Sequence, residues 1–429
     1  MRVALVNPPW SFEGSIYFGC REPHLPLELG YAQALLERAG HEARIFDGQA
    51  ERLALPALRE QIAPFRPEMT AITTAPSYLF WRCAPPELRV PMATAAALRD
   101  LAGTLVVIGP HASTSPRAAL EKLGVDAAVM GECEEILVKI ADTPRPCWGS
   151  ITGLAHRDRG IVRVQGGPHA SDLNALPALR WPDEVVLRHA HHHHRFEAPP
   201  RGPGAEIEAS RGCPYHCTFC AKENFRDRYR KRPLPVVLDE LDALIAQGTR
   251  YAYFIDEIFL PDRPLLAALA ARDVLFGVQM RVDNWSPEML DLLGRAGCVS
   301  IEAGVESITE EGREALAKRC KRSTEELEAL LVHVKRSVPF VQANLIAGDT
   351  DDPAEVMAFR DRLRRQGVWA NDPVPLFPYP GSPEYTRRFG PPDDMAWERA
   401  HADYLERCRA FSDIQDDRPV PLAELEHAA

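Results

Sequence analysis

Short apolar runs alternate with amphipathic helical stretches along most of this 429-residue chain. Alternation of this kind is typical of a parallel β-sheet that carries helices on both faces. In the first third of the chain the strand-like runs are Val3–Val6, Ala43–Phe46, Ala71–Thr74, Leu105–Ile108 and Ala127–Met130. The sequence therefore predicts an α/β fold. Ligands of such sheets bind beyond the carboxyl ends of the strands.

A second alternating series begins at Glu206 and predicts six strand-helix units. Its strand-like runs are Glu206–Ala209, Tyr251–Ile255, Phe276–Met280, Val299–Ala303, Phe340–Ile346 and Pro373–Leu376. Six such units favour a partial (β/α)6 barrel with functional loops at the carboxyl ends of its strands. We expect a first domain over residues 1–142, a linker or wrapping segment over 143–204, the barrel over 205–385 and an irregular tail over 386–429.

Composition narrows the class of protein. The formal net charge of -11 argues against nonspecific nucleic-acid binding, which needs a large positive field. No apolar run approaches the roughly 20 residues that span a bilayer, and the first residues do not resemble a secretory leader. Ten cysteines are too sparse for a disulfide scaffold. We expect a cytoplasmic protein with neither nucleic-acid nor membrane partners.

Three of the cysteines are clustered in a C-x3-C-x2-C pattern directly after the first strand of the second series. They are Cys213, Cys217 and Cys220. Three thiolates on one loop can bind three irons of a cubane cluster and leave the fourth iron open. A zinc site would usually have four protein ligands, or three with histidine among them, so His216 and His111 are the extra ligands of a zinc alternative. The all-cysteine triplet favours iron and sulfur.

The cysteine segment resembles the motif of the radical S-adenosylmethionine (radical SAM) superfamily, including the aromatic Phe219 before the third cysteine. The resemblance covers about residues 205–385. It implies a 4Fe-4S cluster whose open iron chelates S-adenosylmethionine. One electron then cleaves the sulfonium, and the resulting 5'-deoxyadenosyl radical abstracts hydrogen from an unactivated carbon.

The same resemblance implies S-adenosylmethionine contacts at the ends of the later strands. Glu257 is the first choice, and Asp256 the second, to accept a hydrogen bond from the methionyl amino group. Arg281 is the candidate to bind the methionyl carboxylate. The remaining candidates are Gly304, Glu306, Ser307 and Asn344. Asp349 and Asp351 stand where many members carry a glutamate. Alternatively, Asp256 and Glu257 form a solvated strand end, and Glu306 and Arg281 a structural ion pair.

The first domain resembles the Rossmann-like (flavodoxin-like) cobalamin-binding domain that is often fused to radical SAM barrels. Residues implied to contact cobalamin are Pro8, Pro9, Thr74, Ser77, Gly109, His111, Gly131 and Glu132. The D-x-H-x-x-G motif that supplies a cobalt-binding histidine is absent. The resemblance therefore implies cobalamin without a protein histidine ligand, or no cobalamin.

Three features keep two interpretations each. His111 either lines the corrin or caps a strand end. The run His191–His194 is either a solvated or substrate-contacting loop, or a metal site. Adjacent side chains point in different directions, which favours the loop. The basic segment from Arg226 to Arg232 either clamps an anionic substrate or a small electron donor, or is a solvated helix start held by Asp227.

The resemblance as a whole implies a cobalamin-dependent radical SAM enzyme, a methyltransferase that acts on an unactivated carbon of a small molecule or biosynthetic intermediate. Methylcobalamin would deliver the methyl group, and an electron donor such as flavodoxin or ferredoxin would be needed. One alternative is a radical rearrangement or oxidation without methyl transfer. Another is a corrinoid-sensing binding protein with a degenerate barrel.

Overall fold

The computed structural model describes residues 1–10, 23–77, 88–189 and 202–407, and the run His191–His194 lies outside them. The first unit is a seven-stranded sheet with the order β2-β1-β3-β4-β5-β6-β7. Strands β1 to β5 are parallel, and β6 and β7 are antiparallel additions. The strands are β1 (Arg2–Asn7), β2 (Glu42–Asp47), β3 (Met69–Thr73), β4 (Thr104–Ile108), β5 (Ala127–Val129), β6 (Leu154–Asp158) and β7 (Ile161–Gln165).

Both faces of this sheet are covered, as the apolar runs require. Along β1, Val3 and Leu5 enter one apolar core, whereas Ala4 and Val6 enter the other. Successive side chains of a strand point to opposite faces, so a strand that is apolar throughout needs helices on both sides. The helices are Leu27–Arg38, Leu55–Ile62, Arg89–Leu98, Pro110–Thr114, Pro116–Lys122, Glu134–Asp142 and Asp183–Arg188.

The segment predicted as a linker contains part of the first sheet. Residues 154–165 form a hairpin, β6 and β7, on the edge next to β5, with Ala128 paired to Ala155. Val162 joins the apolar core on one face. Weak periodicity concealed this hairpin, because an edge strand with a solvated face shows few apolar residues.

The second unit is an open parallel sheet with the order β15-β14-β13-β12-β11-β8, and β16 also pairs with β14. Its strands confirm the predicted α/β alternation. They are β8 (Gly204–Ile207), β11 (Tyr251–Phe254), β12 (Leu275–Met280), β13 (Cys298–Glu306), β14 (Phe340–Ala347), β15 (Trp369–Ala370) and β16 (Val374–Pro375), with a separate two-residue pair of β9 (Ser210–Arg211) and β10 (Arg230–Lys231).

Helices follow these strands and begin at identifiable caps. The hydroxyl of Ser286 accepts from the Met289 amide, and Ser323 and Glu326 form a capping box. The helices are Leu234–Ala246, Arg263–Ala270, Pro287–Arg295, Glu310–Ala315, Thr324–Lys335, Pro353–Arg365, Pro383–Phe389 and Ala396–Arg407. Within the described ranges, no helix has the length and apolar character needed to cross a bilayer.

The last of these helices, Ala396–Arg407, lies in the region predicted to be an irregular tail. Its Trp397 is 4% exposed, packs against His111 with ring centroids 4.1 Å apart and ring planes tilted by 48°, and donates to the Ser115 hydroxyl at 3.0 Å. The sequence expectation is wrong for residues 396–407, because the charged face of this helix masks the few apolar residues that it buries against the first domain.

Candidate functional site

The three cysteines lie on the loop that follows β8 and β9. Gly212 begins the loop with a φ of +77°, and an added Cβ there would lie 2.1 Å from the Arg228 carbonyl oxygen. Only glycine adopts this conformation at so close an approach. Cys213, Cys217 and Cys220 are all half-buried, and the Cys220 amide donates to the Cys217 carbonyl at 3.1 Å. The loop therefore presents its thiols at the carboxyl end of the sheet.

Distant parts of the chain hold this loop in place. The Thr218 amide donates to the Leu316 carbonyl at 3.0 Å, and the Glu384 amide donates to the Thr218 carbonyl at 2.8 Å. Phe219 is half-buried beside them. Burial raises the pKa of Cys213 to about 11 and that of Cys220 to about 12. Since a metal binds the thiolate, a bound cluster would displace these protons.

The two carboxylates after β11 have different surroundings. Asp256 is buried, accepts from the Ala209 amide at 2.9 Å and accepts from the Ser210 hydroxyl, and burial raises its pKa to about 7. Glu257 accepts from the Gly212 amide at 2.8 Å and from Arg226 at 3.1 Å. Asp256 therefore joins the end of β11 to the segment between β8 and β9, whereas Glu257 reaches the start of the cysteine loop. Neither is a solvated strand end.

Arg281, at the end of β12, lies against the same loop. Its guanidinium donates to Asp283 at 2.7 and 3.1 Å and lies 3.9 Å from the centroid of the Tyr215 ring. Its Nη1 is buried and has no hydrogen-bond partner among the residues that the structure describes. Arg281 therefore retains one donor direction for an acceptor such as a carboxylate.

The turn after β13 contains an ion pair that the sequence did not predict. Glu306 has a φ of +61° and pairs with Lys318, whose ammonium also donates to the Gly304 carbonyl at 3.1 Å. Burial, followed by the charge of Arg281, lowers the pKa of Lys318 to about 8. The alternative of a Glu306–Arg281 ion pair is wrong, because each of these residues has another partner.

Ser307 and Asn344 are both engaged in local hydrogen bonds. The Ser307 hydroxyl donates to Asp351 at 3.0 Å, and Asp351 also accepts from the Ile308 amide at 3.0 Å. Asp351 thus closes the turn after β13, while Asp349 is exposed. Asn344 is half-buried on β14, and its side-chain oxygen accepts from Gln342.

In the first domain, the carboxyl end of β3 carries a set of buried polar groups. The hydroxyls of Thr73 and Thr74 are buried and have no hydrogen-bond partner within the described ranges. The Ser77 hydroxyl donates to Glu28 at 3.0 Å, and burial raises the pKa of Glu28 to about 8. The sequence did not single out Glu28, whose only signal is a charged residue between the apolar Leu27 and Leu29.

The other predicted cobalamin contacts surround this region. Gly109 has a φ of +121° before helix Pro110–Thr114, and the buried His111 faces Trp397. Pro8 is buried and Pro9 is half-buried beyond β1. The Gly131 amide donates to the Ser113 hydroxyl at 2.8 Å. His111 therefore packs between the first domain and the last helix, which neither interpretation from sequence anticipated.

Glu132 belongs to a buried charge network rather than to an open binding surface. Its carboxylate accepts from Arg211 at 3.1 Å and pairs with Arg230. Although burial opposes ionisation, Arg211, Arg226 and Arg230 hold the pKa of Glu132 at about 2. The sequence did not predict this interdomain ion pair, which depends on loops far apart in the chain. A contact of Glu132 with cobalamin stays a prediction.

The basic segment from Arg226 to Arg232 supplies two cations of that network, Arg226 and Arg230, beside Arg211. Arg226 pairs with Glu208 at 2.7 Å, and Arg232 pairs with Glu240 at 2.8 Å. Asp227 instead pairs with Lys222. Arg226 and Arg232 are therefore committed to buried ion pairs, and the segment is not a solvated helix start held by Asp227. Arg228 and Lys231 are exposed, so a clamp for an anionic substrate or electron donor stays a prediction for these residues.

Comparison with known proteins agrees with this geometry. Residues 207–360 match the family model of the Radical SAM superfamily. The chain carries a radical SAM domain. That domain extends from the end of β8 into helix Pro353–Arg365, and it contains the cysteine loop and the predicted S-adenosylmethionine contacts.

Two curated relatives extend the similarity beyond the radical SAM domain. An uncharacterized methyltransferase of Pyrococcus horikoshii is 25% identical over 72% of this chain and 66% of its own length. The anaerobic magnesium-protoporphyrin IX monomethyl ester cyclase of Cereibacter sphaeroides is 25% identical over 87% of this chain and 60% of its own length. The similarity thus spans less than two thirds of the length of these relatives.

The radical SAM methyltransferase TsrM of Kitasatospora setae, solved with tryptophan and an S-adenosylmethionine analogue, has the same fold. Its TM-score is 0.70 at 21% identity, covering 90% of this chain and 76% of that one. Another structure of TsrM contains cobalamin and a [4Fe-4S] cluster. The Rossmann-like first domain and the radical SAM domain therefore occur together in the fold of a cobalamin-binding enzyme, which confirms the predicted fold class.

Proposed function

We propose that the chain is a cobalamin-dependent radical SAM enzyme that methylates an unactivated carbon of a small molecule or biosynthetic intermediate in the cytoplasm. The observation that carries the proposal is the half-buried C-x3-C-x2-C loop at the mouth of a partial barrel that adjoins a Rossmann-like domain. The proposal requires an electron donor, such as flavodoxin or ferredoxin, and neither nucleic acid nor membrane.

The cysteine loop fits a cubane cluster. Cys213, Cys217 and Cys220 would each bind one iron, and the chain offers no fourth cysteine in the same loop. An iron without a protein ligand can bind an exogenous chelator. The Gly212 amide is held by the Glu257 carboxylate and the Thr218 amide by the Leu316 carbonyl, so the thiols are positioned before the cluster arrives.

The strand ends beside this loop fit S-adenosylmethionine. The unpartnered Nη1 of Arg281 would donate to the methionyl carboxylate, and Glu257 would accept from the amino group. The remaining predicted contacts lie on the loop, at or near the ends of β11 and β13, and within β14; they are Phe219, Asp256, Gly304, Glu306, Ser307 and Asn344. Asp256 would act through the Ala209 backbone and Ser307 through the Thr309 backbone, which their side chains hold by hydrogen bonds.

The first domain fits a large polar ligand at the carboxyl edge of its sheet. The buried hydroxyls of Thr73 and Thr74 need hydrogen-bond partners, because an unsatisfied buried hydroxyl costs about 1–3 kcal/mol. Gly109, at positive φ, allows a backbone conformation there that a side chain would disfavour. The space beside Gly131 is taken by the His169 backbone, whose carbonyl oxygen lies 2.3 Å from an added Cβ. Ser77, Pro8, Pro9 and His111 complete the proposed surroundings of cobalamin.

When bound, the cluster, S-adenosylmethionine and cobalamin would supply radical formation and methyl transfer. The protein would bind and orient these groups and exclude water. Arg281 and Glu257 would orient S-adenosylmethionine. Trp397 on His111 would close the first domain against the C-terminal helix.

The test is anaerobic reconstitution with iron, sulfide and corrinoid, followed by a dithionite-driven assay for 5'-deoxyadenosine and methylated product. The native protein should show cluster and corrinoid absorption, and Cys217→Ala should lose the cluster and 5'-deoxyadenosine. The matched control is Cys147→Ala, because Cys147 is exposed and outside the loop. A cluster that forms but yields no 5'-deoxyadenosine would favour the corrinoid-sensing alternative.

A second candidate is a radical reaction without methyl transfer. It is favoured by the cyclase relative, which is similar over 87% of this chain. The mass of the product separates the two. A gain of one methylene unit supports methylation, whereas S-adenosylmethionine consumption without that gain supports cyclisation, rearrangement or oxidation.

A further inference from the structure

Three side chains with metal-binding atoms meet in a buried cluster that is separate from the cysteine loop. His24 precedes helix Leu27–Arg38, His189 follows helix Asp183–Arg188, and Glu206 lies on β8. Nδ1 of His24 is 2.6 Å from Oε1 of Glu206, and Nε2 of His189 is 3.0 Å from Oε2. Their side chains are 8%, 4% and 0% exposed.

The orientation of His189 is that of a metal ligand. Its Nδ1 lies 2.8 Å from the Gly204 carbonyl oxygen, which only accepts, so Nδ1 carries a proton. In the neutral ring Nε2 then carries the lone pair and faces Glu206. Histidines that bind metals typically donate their other ring N–H to a carbonyl or carboxylate in this way.

Hydrogen bonds alone would demand a charged ring. For Nε2 of His189 to donate to Glu206 while Nδ1 donates to Gly204, the imidazole must be doubly protonated. A divalent cation makes the same approach favourable with neutral imidazoles and an ionised carboxylate. The Leu25 amide donates to Oε2 of Glu206 at 2.9 Å and orients the carboxylate.

We propose that His24, His189 and Glu206 bind one zinc ion. One nitrogen or oxygen from each residue lies within 4.8 Å of the others. Two imidazoles and one carboxylate form a known zinc ligand set, with water in the fourth position. The ion joins the segment before the first helix, the segment that leads into the barrel, and β8 itself. It is a structural clamp between the two domains and is independent of the iron-sulfur cluster.

The test measures metals in the untagged full-length protein, grown with zinc and reconstituted anaerobically. Mass spectrometry should find about one zinc per chain beside the iron. X-ray absorption at the zinc edge should find nitrogen and oxygen ligands at about 2.0–2.2 Å and no sulfur. The doubly substituted variant His24→Gln with His189→Gln should lose at least nine tenths of the zinc and keep its iron.

Three controls separate this site from other zinc-binding groups. His333→Gln should keep the zinc, because His333 contacts a single carboxylate, Asp291, at 2.8 Å. Replacing Cys213, Cys217 and Cys220 with alanine should remove iron and leave zinc. Replacing His191, His192, His193 and His194 with alanine should also leave it.

Native protein with less than about a tenth of a zinc per chain would overturn the proposal, as would sulfur ligands or zinc loss in any control. The X-ray absorption spectrum of the native protein at the zinc edge tests the proposed ligands even if the double variant does not fold.

Discussion

Glu132 and Arg211 form an ion pair between the two domains in which both side chains are fully buried. Arg211 Nη1 donates to Glu132 Oε2 at 3.1 Å, and Arg211 also contacts Glu134 and Glu208, each at 2.8 Å. Arg211 lies two residues before Cys213 in the sequence. The loop that presents the cysteines is therefore held by carboxylates of the first domain.

Glu132→Gln should destabilise the protein, because it leaves Arg211 and Arg230 short of negative charge in a buried site. Removing one partner from a buried ion pair costs about 3–5 kcal/mol. We expect the free energy of unfolding, measured with urea, to fall by this amount, and the iron content after reconstitution to be lower. The control is Glu398→Gln, whose carboxylate is 45% exposed and pairs with Lys122, and which should change stability by less than about 1 kcal/mol. Equal effects of the two variants would contradict the buried network.

Glu28→Gln should stabilise the protein at alkaline pH. Burial raises the pKa of Glu28 from 4.5 to about 8, so the folded state binds a proton that the unfolded state has lost between these pH values. Stability due to this group therefore falls as pH rises through that window, by up to about 1.4 kcal/mol per pH unit. Glutamine stays neutral and can still accept from Ser77. Urea unfolding of both proteins at pH 5 and pH 8.5 should show a difference that grows with pH, and a constant difference would contradict the assignment.

Gly212→Ala should reduce cluster content severalfold, because the new Cβ would clash with the Arg228 carbonyl oxygen at 2.1 Å. Gly160→Ala is the matched control. Gly160 has a similar φ of +83°, but no atom lies within 4 Å of its added Cβ. Both variants carry the cost of positive φ, of the order of 1 kcal/mol, and only Gly212→Ala displaces the loop. Iron and sulfide content per chain measures the difference, and equal iron in both would refute it.

Arg281→Lys should raise the KM for S-adenosylmethionine about tenfold, which corresponds to about 1.4 kcal/mol of lost binding. Lysine keeps the charge near Asp283 but loses the planar fork that presents Nη1. The optical absorption of the cluster should stay unchanged, which separates weaker binding of S-adenosylmethionine from a displacement of the cysteine loop. Arg263→Lys is the control, since Arg263 forms an exposed pair with Glu288. An unchanged KM would remove Arg281 from the proposed binding site.

The sequence by itself determined the fold class and the chemistry of the cysteine loop. Periodicity reports which faces are buried, so the alternating runs identified two parallel sheets before any contact was known. The spacing of Cys213, Cys217 and Cys220 limits their sulfurs to one loop, which predicts a shared metal group.

The tertiary structure decided the partners of charged and aromatic side chains. Glu132 pairs with Arg211, and the His111 ring packs against Trp397, neither of which the sequence predicted. A contact of either residue with cobalamin stays a prediction. Glu306 binds Lys318 rather than Arg281. Local sequence cannot specify such pairs, because a buried charge is stable only where a distant loop brings its counterion. For the same reason, the cluster of His24, His189 and Glu206 exists only after both domains have folded together.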